Sequence, residues 1–284
     1  MMLGYNTWSM PTVGIDETIR HLAKLGYDSM ELTICPGWPT DAALLHAAER
    51  RRIRTMIADH GLRLTGCTGN TPVLVDTDTW AVNRERLEKC LDFAADMRGD
   101  GPALYVATTT GAIEGEDVAS LFEPNKHRIV ERFGQLTAYA AARGATMHLE
   151  PHVSTAVRRP EQALWVIAQV GSPALRISLD ISHFEVQGFA ARDVVAALAP
   201  IAGAVEVKDE RGLYPDFEFL IPGEGEMDYP GFIAALAEHG FTGGVAVEIS
   251  KMCQAKPDYD PLAAAETSYR VLAAAFAAAG VARG

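Results

Sequence analysis

Between Met1 and Gly284, short apolar runs of β-type residues alternate with longer segments whose apolar side chains recur every three or four positions, eight times over. The strand candidates are "MMLGYN", "YDSMELTI", "RLTGCTG", "ALYVATTTG", "TMHLEPH", "RISLDISH", "AVEVKDE" and "GGVAVEIS". Helical segments such as "IDETIRHLAKLG", "ERFGQLTAYAAARG", "PEQALWVIAQVG" and "PLAAAETSYRVLAAAFAAAG" lie between them. Gly26, Gly144, Gly171 and Gly280 stand where a left-handed cap ends a helix, and Pro160 and Pro261 where a first turn begins. Parallel strands need helical crossovers, and no Pro/Ser/Gly linker interrupts the series. The pattern therefore predicts a single-domain (β/α)8 TIM barrel over residues 1–284, with an open doubly wound sheet as the rival.

The irregular stretches, 34–41, 66–80 and 211–229, each follow a strand, which is the side on which a barrel builds its site. The last, "RGLYPDFEFLIPGEGEMDY", is expected to form a loop over the barrel mouth. A hydrophobic share of 48% suffices for a large core. The net charge of −12 repels phosphate backbones and anionic lipid, so nucleic acid and membrane are excluded as expected partners. Cys35, Cys67, Cys90 and Cys253 form no CxxC pair, which argues against a zinc ribbon or a disulfide scaffold. With no signal-peptide pattern and no apolar run of roughly 18 residues, a cytoplasmic location is expected.

Four late strands carry an acidic residue near their C-terminal ends: Glu150, Asp180, Glu206 and Glu248. One such residue usually caps a helix or faces solvent. Four on neighbouring strands converge on one mouth if they face the interior, and like charges so placed destabilise the fold unless a cation neutralises them. Oxygen-only ligands favour a hard ion, one Mn²⁺ or Mg²⁺. Strand alternation puts His148, Glu150 and His152 on one face, and Glu206 and Lys208 on another. His148 alone reads as a core histidine, and Lys208 with Asp209 also reads as a solvated ion pair.

At these residues the chain resembles the xylose-isomerase-like superfamily. That group holds sugar isomerases and epimerases, inosose and 3-dehydroshikimate dehydratases, hydroxypyruvate isomerases and metal-dependent apurinic endonucleases. "HLAKLGYDSMEL" resembles the family's opening helix and strand, "EPH", "LDISH" and "VKD" its fifth to seventh strand ends, "PGEGEMDYPGF" its last long loop and "VEIS" its eighth strand. The resemblance implies metal ligation by Glu150, Asp180 and Glu248. Glu206 stands where many relatives, reading HxHxKD, have a ligating histidine. It also implies Glu150 and Glu248 as general base and acid on opposite sides of a hydroxy-ketone. His152, His183, Lys208 and Arg211 would contact the substrate, and Trp8, Trp38 or Phe184 would wall off its apolar face. The expected activity is a metal-dependent isomerase or epimerase of a small sugar, cyclitol or keto-acid, working through an enediolate. A lyase or dehydratase is the alternative, and a non-catalytic sugar-binding barrel, supported by the Glu206 departure, is the lesser one. An acidic chain does not suit the nuclease branch, and a homo-oligomer is compatible with the family.

Overall fold

The computed structural model describes residues 1–284. Its strands are β1 (Met2–Asn6), β2 (Ser29–Thr33), β3 (Arg63–Thr68), β4 (Tyr105–Thr109), β5 (Thr146–Glu150), β6 (Leu175–Asp180), β7 (Ala202–Val207), β8 (Asp209–Leu213), β9 (Asp216–Leu220) and β10 (Gly244–Val247). Eight of them close into one parallel ring in the order β1-β10-β7-β6-β5-β4-β3-β2, which is a (β/α)8 barrel and rules out the open sheet. The remaining two, β8 and β9, pair antiparallel with Asp209 opposite Leu220 and Leu213 opposite Asp216. The segment expected as an irregular loop is thus largely a hairpin, because "DFEFL" alternates and a two-residue turn joins it to "DERGL".

Helix ends follow the chemistry of their residues. Gly26 and Gly171 close their helices at φ 96° and 62°, in the left-handed region where a side chain would be strained. Gly144 and Gly280 also have positive φ, each one residue beyond its helix's cap. At the start of the last helix Asp260 accepts from the amides of Leu262 and Ala263, with Pro261 in the first turn. Between ring and helices lies one apolar cluster of 65 buried residues, which is why the chain has a single core. All four cysteines are buried free thiols, and no helix is long and apolar enough to cross a membrane.

Inside the ring, small residues make room for large ones. A Cβ on Gly66 would come within 2.2 Å of the Tyr105 ring, and one on Gly203 within 2.4 Å of His148 Cε1. Those two glycines make room for Tyr105 and His148, on the neighbouring strands β4 and β5, to stack at 4.2 Å. Both rings lie toward the N-terminal end of the strands, so His148 is away from the mouth that carries the acidic residues.

Candidate functional site

The C-terminal mouth gathers the acidic strand ends. Asp180 and Glu206 are neighbours across β6 and β7, Thr109 faces Glu150 across β4 and β5, and the Glu248 amide donates to the Val207 carbonyl at 3.0 Å. Carboxylate oxygens of Glu150, Asp180 and Glu206 lie within 4.8 Å of one another, all three residues buried. Glu248 stands slightly apart, 3.6 Å from the Lys208 ammonium. Lys208, fully buried, also pairs directly with Asp180. Its neighbour Asp209 instead accepts from the amides of Gly223 and Met227 at 2.7 and 3.1 Å, so the two do not form a solvated ion pair.

Electrostatics at this mouth are set by burial against these pairings. Burial disfavours the Lys208 charge, yet Asp180, Glu248 and Glu150 hold it well above its ordinary value. For Asp180 burial works upward, and Lys208, His183 and Ser182 outweigh it, keeping this carboxylate ionised. Glu206 goes the other way, driven far up by burial and by Glu248, Glu31, Glu150 and Asp180. Burial also lifts Glu150 against the opposing pull of His152 and Lys208. In Glu248 burial and the charges of Glu150, Asp180 and Glu31 outweigh Lys208, and its carboxyl is raised to about 8.

The histidines are neutral. Burial pushes His152 and His183 down to about 3, His183 opposing His152 further and Lys208 opposing both. His152 Nδ1 accepts from the Ser154 amide at 3.1 Å, which places its proton on Nε2 and makes that nitrogen a donor. His183 Nε2 lies 3.5 Å from Glu150 and 3.6 Å from Asp180, and the two imidazoles are 3.7 Å apart.

Glu150, His152, His183, Lys208 and Glu248 line a cleft of about 280 Å³, near the small end of ligand pockets, together with Trp8, Thr68, Asn70, Thr109 and Phe219, while Asp180 and Glu206 lie behind its wall. Trp8 stacks on Trp38 at 4.6 Å, and the Lys251 ammonium sits 4.8 Å above Trp8. Three expected contacts are not there, the first being Trp38, which packs on Trp8 and does not line the cleft. Arg211 points away along the hairpin, donating to the Glu224 carbonyl at 2.6 Å and pairing with Glu218. Phe184 is fully buried in the core beside Phe189, and Phe219 from β9 supplies the aromatic wall instead.

Several site residues escaped the sequence reading. Glu31 on β2 faces the interior, accepting from Asn6 Nδ2 at 3.1 Å, while the same amide donates to Glu206 at 2.6 Å. Strand alternation through "SMELT" carries that signal, since an acidic residue inside an apolar run demands a partner. Lys251 and Asn70 left no comparable trace. Asn70 is the one non-glycine residue with positive φ, 28°, and it lines the cleft.

Three likenesses bear on this mouth. Fructoselysine 3-epimerase of Escherichia coli O157:H7 is 26% identical over 266 residues, 90% of this chain and 93% of that protein. A 3-dehydroshikimate dehydratase of Pseudomonas putida is 25% identical over 261 residues, 83% of this chain and 36% of that protein. The crystal structure of the IOLI protein with a bound zinc atom superposes with a TM-score of 0.78 at 18% identity, over 99% of this chain and 98% of that one. Residues 19–275 match the profile of the xylose isomerase-like TIM barrel, and the chain belongs to that family.

Proposed function

We propose that this protein is a divalent-metal-dependent isomerase or epimerase, moving a proton on a small sugar or related hydroxy-ketone through an enediolate. The observation that carries the reading is the pairing of Glu150 and Glu248 in one cleft. Both carboxyls face that cleft, from strands three places apart around the eight-stranded ring.

The donor set fits a hard divalent cation. Three buried carboxylates crowd within 4.8 Å, and the repulsion that drives Glu206 upward is what a double positive charge there removes. Glu150, Asp180, Glu206 and Glu248 would hold it, Mn²⁺ or Mg²⁺, and it would supply Lewis-acid polarisation of the substrate carbonyl. The chain's own groups do the rest. One of Glu150 and Glu248 takes the proton from the carbon beside the carbonyl, and the other returns one from the opposite face. His152 donates through Nε2 to a substrate oxygen, and Lys208 holds Asp180 ionised. Trp8, backed by Trp38, and Phe219 exclude water from the apolar face.

A second reading, elimination from the same enediolate to give a dehydrated product, is favoured by the comparable identity to the 3-dehydroshikimate dehydratase. Incubating the Mn²⁺-supplemented protein with a panel of ketoses and keto-cyclitols in D₂O distinguishes the outcomes. Proton transfer puts deuterium on the carbon next to the carbonyl in an epimer or isomer. An unsaturated product shows elimination, and turnover without label contradicts the proposal.

A further inference from the structure

A second cavity lies at the other end. At the N-terminal mouth, residues of β1, β3 and β4 and of the helices 47–59 and 77–98 enclose about 500 Å³, more than the cleft that holds the acidic cluster. The N-terminal end of a barrel is ordinarily closed by side chains. This one is open on the β7 and β10 side because Gly203, Ala204, Gly243 and Gly244 supply almost no side-chain volume. Met2, Ile57, Leu62, Leu64, Met97 and Leu104 form apolar walls. The cavity runs up the axis to Glu31 and Tyr105, the layer directly beneath Glu206.

Charge at this mouth runs against that of the chain. The protein carries −12 overall, yet the cavity is lined by Arg54, Arg63 and Arg98 with Glu31 as its one carboxylate, deep at the closed end. None of the three arginines is among the residues forming ion pairs. Arg54 donates to the Asp96 carbonyl at 3.1 Å and Arg98 to the Gly144 carbonyl at 3.1 Å, while the exposed Arg63 reaches only the Met2 sulfur at 3.9 Å. Arg98 Nε is buried with no acceptor at all. That nitrogen is closed off, but Arg98 and Arg54 each use a single guanidinium nitrogen in these bonds, and a carboxylate in the cavity would accept from the donors that remain.

We propose that the N-terminal mouth is a second ligand site, taking a small apolar carboxylate. Its body lies along Met2, Ile57, Leu64 and Met97, and its carboxylate meets the guanidinium of Arg98 with Arg63 beside it. The site is separate from the chemistry of the opposite mouth and does not depend on the activity assigned there. It places an apolar anion one layer below Glu206, joined to it through Glu31 and Asn6.

The test uses 4-phenylbutyrate, with 4-phenylbutanol as the uncharged match, titrated into the full-length protein labelled with methyl-¹³C methionine. Binding of the acid should shift the Met2 and Met97 methyl signals and leave Met252, beside Lys251 at the other mouth, unmoved. Arg98→Gln should weaken the acid roughly tenfold, the scale of one charge-assisted contact, and leave the alcohol unchanged. Arg63→Gln, at an exposed position, tests the same preference should Arg98→Gln fail to fold. Ala103→Trp, which plugs the cavity from an exposed position, should abolish both ligands without lowering the melting temperature by more than a few degrees. The proposal is overturned by any of four results: no shift at Met2 and Met97 with the acid at 10 mM, equal response of acid and alcohol to the arginine variants, binding that survives Ala103→Trp, or sedimentation showing a dimer that Ala103→Trp dissociates. The last would make a second copy of the chain the occupant.

Discussion

Asn6 shows how closely the site's charges are balanced. Its side-chain amide lies within hydrogen-bonding distance of Glu31, Thr68 and Glu206, while its carbonyl oxygen accepts from the Trp8 amide at 2.9 Å and the Thr33 hydroxyl at 3.0 Å. Asn6→Asp keeps the shape and places another carboxylate against Glu31 and Glu206. We expect it to cost about 3 kcal/mol, the scale of an uncompensated buried charge, and more at pH 8 than at pH 5. Equal melting temperatures for Asn6→Asp and wild type at pH 8 would show that this amide is not what holds the pair. Glu150→Gln and Glu248→Gln should each lower turnover by about 10²–10⁴ at matched metal occupancy. Losses within about tenfold would leave the carboxylates as ligands only. A neutral core residue makes a different point. Gly66→Ala, whose added methyl meets the Tyr105 ring, should destabilise by about 1–3 kcal/mol, read by urea unfolding. Nothing in "RLTGCTG" discloses that, since the ring it would strike comes from the next strand.

Among elements, the hairpin formed by β8 and β9 differs most from its expected form. Its Gly and Pro content reads as loop, while the alternation in "DFEFL" that pairs it is short and half-exposed. The hairpin brings Phe219 to the cleft and Glu210 to the short helix Ser182–Glu185. The Oε2 atoms of Glu185 and Glu210 are buried without an ordinary partner, so a proton on Glu210 joins the two carboxyls. Burial raises Glu185 to about 7 and, with Glu185 and Asp209 opposing ionisation, Glu210 to about 9. Asp180, Asp209 and Asp228 add their charges around the pair, and the Tyr229 hydroxyl lies beside them. Because these folded-state values lie above the unfolded value of 4.5, the shared proton's contribution is fully present below about pH 4.5, shrinks as pH rises from there and is gone above about 9. The wild-type melting temperature should therefore fall over that window, and Glu210→Gln, which keeps a donor at any pH, should flatten the fall. An identical slope in the variant would place the alkaline instability elsewhere.

At the level of the whole molecule, the barrel was legible because each of its eight strands is an apolar run bounded by helix signals; six formed within the quoted segments, while β6 and β7 begin one and two residues before theirs. The acidic mouth was legible for the same reason, since a charged residue ending an apolar strand has few places to go. What resisted reading depends on contacts between distant elements: Arg211 turned along its hairpin, Phe184 packed into the core, Glu31 joined to Glu206 through Asn6, and a cavity opened where four small residues coincide. The proposed function requires one divalent ion at the acidic mouth. Anomalous scattering from a crystal soaked in Mn²⁺ tests it directly. One peak is predicted, bounded by Glu150, Asp180, Glu206 and Glu248 with carboxylate oxygens at about 2.0–2.2 Å, and lost in Glu206→Ala. A peak on Glu150, His152 and His183 that ignores Glu206, or no peak at this mouth, would contradict it.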